Sequence, residues 1–340
     1  MKRFFKILVF LFLGLILLLF IYIQITIPKL TDETEAIIEQ VIQGELQPLK
    51  GEEGFAYNGD IKIWYESILP KDSIKGTVLL IMGISNDALA WPNYFIDPLV
   101  ASGYQVVRFD NRGTGLSDWM DDWDEDNAYS LSDMANDAVA VLDKLEIDKT
   151  HVIGVSLGGM IAQTLSLEHP DRLHTLTSMM STGYMMDEDL PFVNTKLMKK
   201  LVLTQAKYGL VRTEKNAVKL HLTTRQLLRG SLDYQIGVED LAQSVLYNLR
   251  KRKGDNHLAF RQHSAATFKS GSRYEALKTL TTPTLIIHGT TDPLIDFAHG
   301  KKCFELIPNA TNFWVEGMGH DIPEPLSGEI VGRIVTFYND

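Results

Sequence analysis

The chain has 340 residues, 45% of them apolar, enough for one large domain with a sizeable core or two small ones. A formal net charge of −10, with no broad basic stripe, argues against nucleic acid as a partner. The single cysteine, Cys303, excludes an internal disulfide. With no Cys/His cluster around it, no metal site is expected, and it reads as a small buried or half-buried side chain on a helix.

The N-terminus carries Lys2, Arg3 and Lys6, followed by an uncharged run rich in Leu, Ile and Phe from Ile7 to Ile27. A run of about 20 apolar residues spans a hydrocarbon core as a helix. The run ends in Gln24-Ile25-Thr26-Ile27-Pro28, without a small-x-small cleavage site or a cysteine to carry lipid. Residues 1–30 are therefore read as an uncleaved signal anchor, a long cleaved signal peptide being the alternative; both export the remainder of the chain. The positive flank stays cytoplasmic, so the expected location is a single-pass membrane protein with its catalytic domain on the non-cytoplasmic side, periplasmic or extracellular in a bacterium.

Residues 31–53 read as a linker, within which Ala36, Ile37, Val41 and Ile42 recur at the spacing of a short amphipathic helix. Ile61–Tyr65 alternates like a strand. Gly76–Met82, Gln105–Phe109, Thr150–Gly154, Leu173–Thr177, Thr284–His288 and Asn312–Val315 are β-type runs of the kind buried on both faces. Helical patterns lie between them, at Ser132–Leu145 and at Gly159–Glu168, the latter stopped by His169-Pro170. The alternation predicts an α/β fold, a mostly parallel sheet with helices on both faces. From about 183 to 273 it lapses into helical pattern alone, too long for a crossover and read as a helical cap over the site. At its entrance Met179, Met180, Met185 and Met186 are core residues or the lining of a pliable apolar pocket. Arg250-Lys251-Arg252-Lys253 near its end reads as a solvated helix terminus, with membrane-surface contact as the alternative.

The run Gly154-Val155-Ser156-Leu157-Gly158-Gly159 joins a predicted strand to a predicted helix. Gly-x-Ser-x-Gly in that setting is a nucleophile elbow, a turn so tight that the serine is strained and its hydroxyl stands clear of the sheet. Glycines two before and two after avoid collision across the turn. Acyl transfer needs a nucleophile, a base, a group to orient the base and donors for the oxyanion. Ser156 is the nucleophile candidate. His320, in Gly317-Met318-Gly319-His320-Asp321 just after the last predicted strand, is the base candidate; His288 is expected to pack beneath the acid's loop. Asp292, in His288-Gly289-Thr290-Thr291-Asp292-Pro293, is the candidate acid, with Asp296 and Asp187 as rivals. The order Ser, Asp, His along the chain fits the elbow reading. The oxyanion donors are expected to be the backbone N–H of Leu157 and that of Ile84, in the loop after the strand Gly76–Met82.

These residues carry a resemblance. The chain resembles α/β-hydrolase fold proteins from about Gly54 to Tyr338, which sets a domain at 54–340. The wording is Leu80-Ile81-Met82-Gly83, Trp91-Pro92, Arg108-Phe109-Asp110-Asn111-Arg112-Gly113 with Gly115 and Ser117, the elbow, His288-Gly289 with Asp292, and Gly319-His320. Within that superfamily it is similar to the carboxylesterase branch that includes polyketide methyl esterases. The resemblance implies a cofactor-free hydrolase of carboxylic esters, acting on a small-molecule or lipid-like substrate. It departs from many relatives in carrying Met82-Gly83 where they have His-Gly, and in lacking an acidic residue directly after Arg112.

Other readings stay open on the same fold. Peptidases cleaving after proline and amidases share the triad and carry acidic cap residues for a substrate amine, for which Glu188, Asp189, Asp233, Glu239 and Asp240 are available. Haloalkane dehalogenases and epoxide hydrolases place an aspartate at the elbow, and Ser156 argues against them. A non-catalytic binding module has to be set against three filled triad positions.

Overall fold

The structure, a computed structural model, describes residues 2–339; Met1, the first residue of the expected anchor, and Asp340, the last of the expected hydrolase domain, lie outside the described residues, as does the side chain of Lys2. Helix α1 (Lys2–Thr26) is the apolar N-terminal run, and its side chains are exposed along most of its length. Helix α2 (Asp32–Gln43) starts at Thr31, whose hydroxyl accepts from the Thr34 N–H; Asp32, Glu33 and Glu35 in its first turn face the positive end of the helix dipole.

The sheet has eight strands: β1 (Glu52–Asn58), β2 (Ile61–Ile68), β3 (Gly76–Ile81), β4 (Tyr104–Phe109), β5 (Thr150–Val155), β6 (Leu173–Met179), β7 (Thr284–Gly289) and β8 (Thr311–Val315). Their order is β1-β2-β4-β3-β5-β6-β7-β8. β1 and β2 pair antiparallel with each other, β2 pairs antiparallel with β4, and every other pair is parallel. The apolar runs fill both faces because successive side chains point to opposite sides. Leu79, Ile81, Val107, Phe109 and Val152 pack on one side with α4 (Leu131–Lys144) and α5 (Leu157–Glu168). Val78, Leu80, Val106, Ile153 and Val155 pack on the other with α3 (Asn93–Ala101) and α12 (Glu324–Asn339).

The stretch 183–273 carries α6 (Thr195–Thr204) with a π-turn at Gln205–Gly209, α7 (Glu214–Leu228), α8 (Val238–Lys251) and α9 (Ala259–Ser270). A short α10 (Tyr274–Leu277) returns the chain to β7, and α11 (Phe297–Leu306) connects β7 to β8.

Two features differ from the sequence reading. Residues 31–53 do not run free between anchor and domain: Leu30, Ile38 and Val41 are buried against Val218, Leu222, Leu241 and Val245 of α7 and α8, and Lys215 and Lys219 of α7 pair with Glu35 and Glu39. That segment also ends inside β1, an edge strand in which Ala56 alone is buried, so it shows no apolar run. The second concerns the basic run at the end of α8. Its Arg252 side chain is buried, paired with Asp110 and, at 3.4 Å, Asp87, and lies over the Trp64 ring. Lys253 donates to the Ser117 carbonyl at 3.0 Å, and Arg250 to Glu214 and the Ile42 carbonyl. Arg252 and Lys253 thus tie the end of α8 to the sheet domain, while Arg250 and Lys251 stay exposed, so the run is a solvated terminus only in part.

Candidate active site

Ser156 sits between β5 and α5 with φ 58° and ψ −121°, a left-handed backbone that costs a non-glycine residue of order 1–3 kcal/mol. The turn is held by contact: a Cβ on Gly154 would overlap the Gly158 carbonyl, and one on Gly158 would overlap that of Ile81. The Ser156 N–H donates to the Met179 carbonyl at 2.9 Å, and the Ser181 hydroxyl donates to the Ser156 carbonyl at 2.7 Å. Among the described residues the Ser156 hydroxyl has no hydrogen-bond partner, which leaves it free to meet a ligand.

Asp292 follows β7 and His320 follows β8, two and three strands along from β5 at the same carboxyl edge of the sheet. Nδ1 of His320 stands 2.7 Å from Oδ2 of Asp292. With the carboxylate ionised, Nδ1 carries the proton and donates it, so Nε2 is left as an acceptor. The other oxygen of Asp292 accepts the N–H groups of Leu294 and Ile295 at 2.8 and 2.9 Å. Burial pushes the Asp292 carboxyl up, but His320 and His288 beside it outweigh burial and hold it well below the usual carboxylate range. His288 lies fully buried under that loop, its Nε2 2.9 Å from the Ile295 carbonyl.

The rivals are employed elsewhere. Asp296 caps α11 by accepting from the Ala298 N–H, and Asp187 accepts from the Tyr274 hydroxyl. Of the acidic cap residues, Asp240 accepts from Asn93, Asp233 pairs with Arg229 at the surface, and Glu188, Asp189 and Glu239 are exposed. The methionines divide: Met179 and Met180 are core, Met185 is partly buried and Met186 exposed.

The loop after β3 passes against the elbow, for a Cβ on Gly83 would lie 3.2 Å from that of Ser156. Among the described residues the N–H groups of Ile84 and Leu157 donate to no protein acceptor. Three residues that sequence reasoning missed hold this loop. Asn111 donates to the Met82 carbonyl at 3.0 Å, Asp110 accepts the Ala88 N–H at 2.9 Å, and His263 of α9 accepts the Ser85 N–H at 3.2 Å. Asp110 and Asn111 stood inside the Arg-Phe-Asp-Asn-Arg wording, whereas His263 carried no local signal.

The histidine loop is likewise stitched to the cap. The N–H groups of Gly319 and His320 donate to the carbonyls of Arg229 and Leu228 at 3.0 and 2.7 Å, at the end of α7. The neighbouring Asp321 accepts from Arg225 at 2.8 Å and from the Tyr234 hydroxyl at 2.7 Å.

A strained serine at a strand–helix turn, at the carboxyl edge of a mostly parallel sheet, defines a protein of the α/β-hydrolase class. Residues 76–324 match the family model described as the alpha/beta hydrolase fold, and the chain belongs to that family and is a hydrolase. It is 30% identical over 290 residues to the rhodomycin D methylesterase DauP of Streptomyces sp. (strain C5), an alignment covering 80% of this chain and 94% of the relative. Among solved structures it matches an esterase from a Rhodococcus species with TM-score 0.64 and 21% identity, over 86% of this chain and 99% of that one. A bacterial membrane phospholipase A matches with TM-score 0.64 and 18% identity, over 100% of this chain and 98% of that one. The two structural likenesses are likenesses of fold.

Proposed function

We propose that this protein is a membrane-anchored serine hydrolase that cleaves carboxylic esters through an acyl-enzyme. The observation that carries the reading is the 2.7 Å contact between His320 and Asp292, which leaves the imidazole Nε2 as a free base at the sheet edge where Ser156 stands. Ser156 Oγ attacks the ester carbonyl carbon while His320 Nε2 takes its proton. Asp292 keeps the ring in that tautomer and stabilises the imidazolium. The oxyanion is met by the unpaired N–H groups of Ile84 and Leu157. Collapse of the tetrahedral adduct expels the alcohol, which receives the proton from His320. Water then attacks the acyl-enzyme, giving its proton to His320, and the acid departs as Ser156 is restored. The methylesterase relative supports an ester over an amide, and so do acidic cap residues that are paired or exposed at the surface.

Anchoring rests on Arg3–Thr26, 24 residues with positive charge at their start, whose most apolar 18-residue window has a mean hydropathy of 3.0, and on a domain that leaves most of the helix uncovered. The sided location, with the domain outside the cytoplasm, follows from Arg3 and Lys6.

The test compares the protein with Ser156→Ala on p-nitrophenyl esters of graded chain length and on proline anilides, with a fluorophosphonate probe as a second readout. Ester turnover and labelling, both lost in the variant, are expected. Ester turnover retained in the pure variant overturns the nucleophile assignment, and anilide turnover alone moves the protein to the peptidases.

A further inference from the structure

Helix α1 does not leave the hydrolase domain freely. Ile23 and Ile27, in its last turn and just beyond, are buried against Leu203 of α6, with Ala206 and Tyr208 of the π-turn beside them. Lys199 lies over the Tyr22 ring at 4.9 Å, and Lys207 donates to the Ile27 carbonyl at 3.4 Å. With its 25 residues, α1 is about 38 Å long against a hydrocarbon thickness of about 30 Å, so the turns that touch α6 are those at the bilayer boundary. Whatever plane the end of α1 occupies, α6 occupies it too.

The rest of α6 and the turn after it are composed for that plane. Val202 is 64% exposed, Leu210 80% and Val211 63%, and Met198 is half-exposed one turn before Val202 on the same stripe. In water these side chains would form an uncovered apolar strip. Lys196, Lys199 and Lys200 stand on the same helix, around the side that α1 covers. Exposed branched apolar side chains flanked by lysines are the make-up of a helix that lies in a membrane interface, its apolar side among acyl chains and its amines among headgroup phosphates.

We propose that α6 with the Gln205–Val211 turn is a second membrane contact, a foot on the cap that lies in the bilayer surface beside α1, its apolar strip in the acyl boundary and its lysines on anionic headgroups. The inference rests on the anchor reading of α1 and goes beyond it. A single spanning helix fixes the domain near a membrane, whereas two contacts fix its orientation. The orientation is transmitted to the site: α6 runs into α7, whose last carbonyls hold the N–H groups of Gly319 and His320. The cap is thereby seated on the lipid surface, and the partner chemistry is an anionic phospholipid bilayer.

The test uses the full chain reconstituted in phosphatidylcholine–phosphatidylglycerol vesicles. Cys303 is buried, so one added cysteine takes an environment-sensitive fluorophore. Three single variants are labelled: Val202→Cys on the foot, Leu15→Cys in the middle of α1, and Lys149→Cys, exposed before β5 at the opposite, amino edge of the sheet. An interfacial helix sits ~5–10 Å into the headgroup–acyl boundary, so lipids brominated near the glycerol should quench the probe at 202. The expected result is a blue-shifted probe at 202 that loses most of its emission to shallow bromines, a probe at 15 quenched by deep bromines, and no effect at 149. Quenching at 15 without quenching at 202 overturns the foot and leaves the anchor standing. A blue shift at 202 that bromines do not touch also overturns it, since a second copy of the chain would then cover the strip. Equal quenching at 202 and 149 means unspecific adsorption and overturns it as well. Absence of quenching at 15 removes the anchor reading and the foot with it.

Discussion

His263 of α9 accepts the N–H of Ser85, the residue after the proposed oxyanion donor Ile84, and its other nitrogen lies 2.8 Å from the Arg112 carbonyl. This arrangement admits one tautomer, proton on Nε2 and lone pair on Nδ1. Burial lowers the pKa of His263 to about 4, despite the Arg112 carbonyl that favours its charged form. The imidazole is thus a neutral strut between α9 and the loop that carries the proposed oxyanion donor.

The strut makes stability depend on pH. An unfolded histidine takes a proton near pH 6.5, and His263 in the fold takes one only near 4, so between those values the unfolded state binds more protons. Its contribution is complete above 6.5 and is lost as the pH falls toward 4, to a total of order 3 kcal/mol. His151, also lowered to about 4 by burial, adds loss in the same window. His263→Phe should show a shallower decline between pH 6.5 and 4 in urea denaturation, and should cost about 1–3 kcal/mol at pH 8 by stranding the Ser85 N–H and the Arg112 carbonyl. Its kcat should fall more than its KM rises, because the loop it steadies carries the proposed oxyanion donor Ile84. An unchanged pH slope would show that His263 titrates normally.

Asp292 and Asp296 stand one turn apart after β7, and the structure gives them different work. Asp292→Asn should reduce kcat by roughly 10³- to 10⁴-fold with the fold intact, since an amide in place of the carboxylate no longer fixes the imidazole tautomer. Asp296→Asn should leave kcat within about twofold, because asparagine caps a helix about as well as aspartate. Steady-state ester hydrolysis on the two proteins decides it. Equal losses would mean that the pair with His320 does not define the acid.

Legibility along this sequence followed the range of the interactions. The elbow could be read because its constraint is local: Gly154 and Gly158 are forced by atoms a few residues away or on the adjoining strand. The strands buried on both faces announced themselves as continuous apolar runs, while β1, with Ala56 alone buried, had nothing to announce. Spacing left Asp292 and Asp296 as rivals because both follow β7, and what separates them is the side chain that crosses from β8. The struts were silent. His263 meets Ser85 across 178 residues and Arg252 meets Asp110 across 142, so a basic run that looked solvated is in part a buried clamp. Segment 31–53 looked like a linker because its apolar stripe is short, and its partners lie on α7 and α8 in the cap.

Arg225 tests how far α7 holds the proposed base, His320. Its guanidinium is paired with Asp321, next to His320, and also donates to the Tyr94 hydroxyl at 2.8 Å. Arg225→Met would leave the Asp321 carboxylate, only 9% exposed, with the Tyr234 hydroxyl alone, an uncompensated buried charge that costs about 3–5 kcal/mol. In the folded fraction, kcat should fall by about tenfold with KM nearly constant as the His320 loop loosens from α7. Calorimetry and steady-state kinetics on the same sample separate the two effects. A stability loss with no change in kcat would show that the backbone bonds from Gly319 and His320 suffice to hold the loop.

Arg252 is the cation that faces Asp110 and Asp87 in a buried cluster whose carboxylates also hold the N–H groups of Ala88, Leu116 and Leu89. Burial raises the Asp110 carboxyl to about 7, with Arg252 opposing that rise and Asp87 adding to it. The sign is opposite to that of His263. Between about pH 4 and 7 the folded state keeps a proton that the unfolded chain has released, so this group's contribution weakens as pH rises through that window. Removing the guanidinium in Arg252→Met raises the Asp110 carboxyl further and extends the loss above pH 7. The stability gap between wild type and variant should therefore widen with pH, from a small value at pH 5 toward about 3–5 kcal/mol at pH 8. Arg252→Lys, which keeps the charge and loses the planar stack on Trp64, should recover part of it. Urea midpoints at the two pH values measure the gap, and an equal gap at both would show that Asp110 and Asp87 do not depend on Arg252 for their charge.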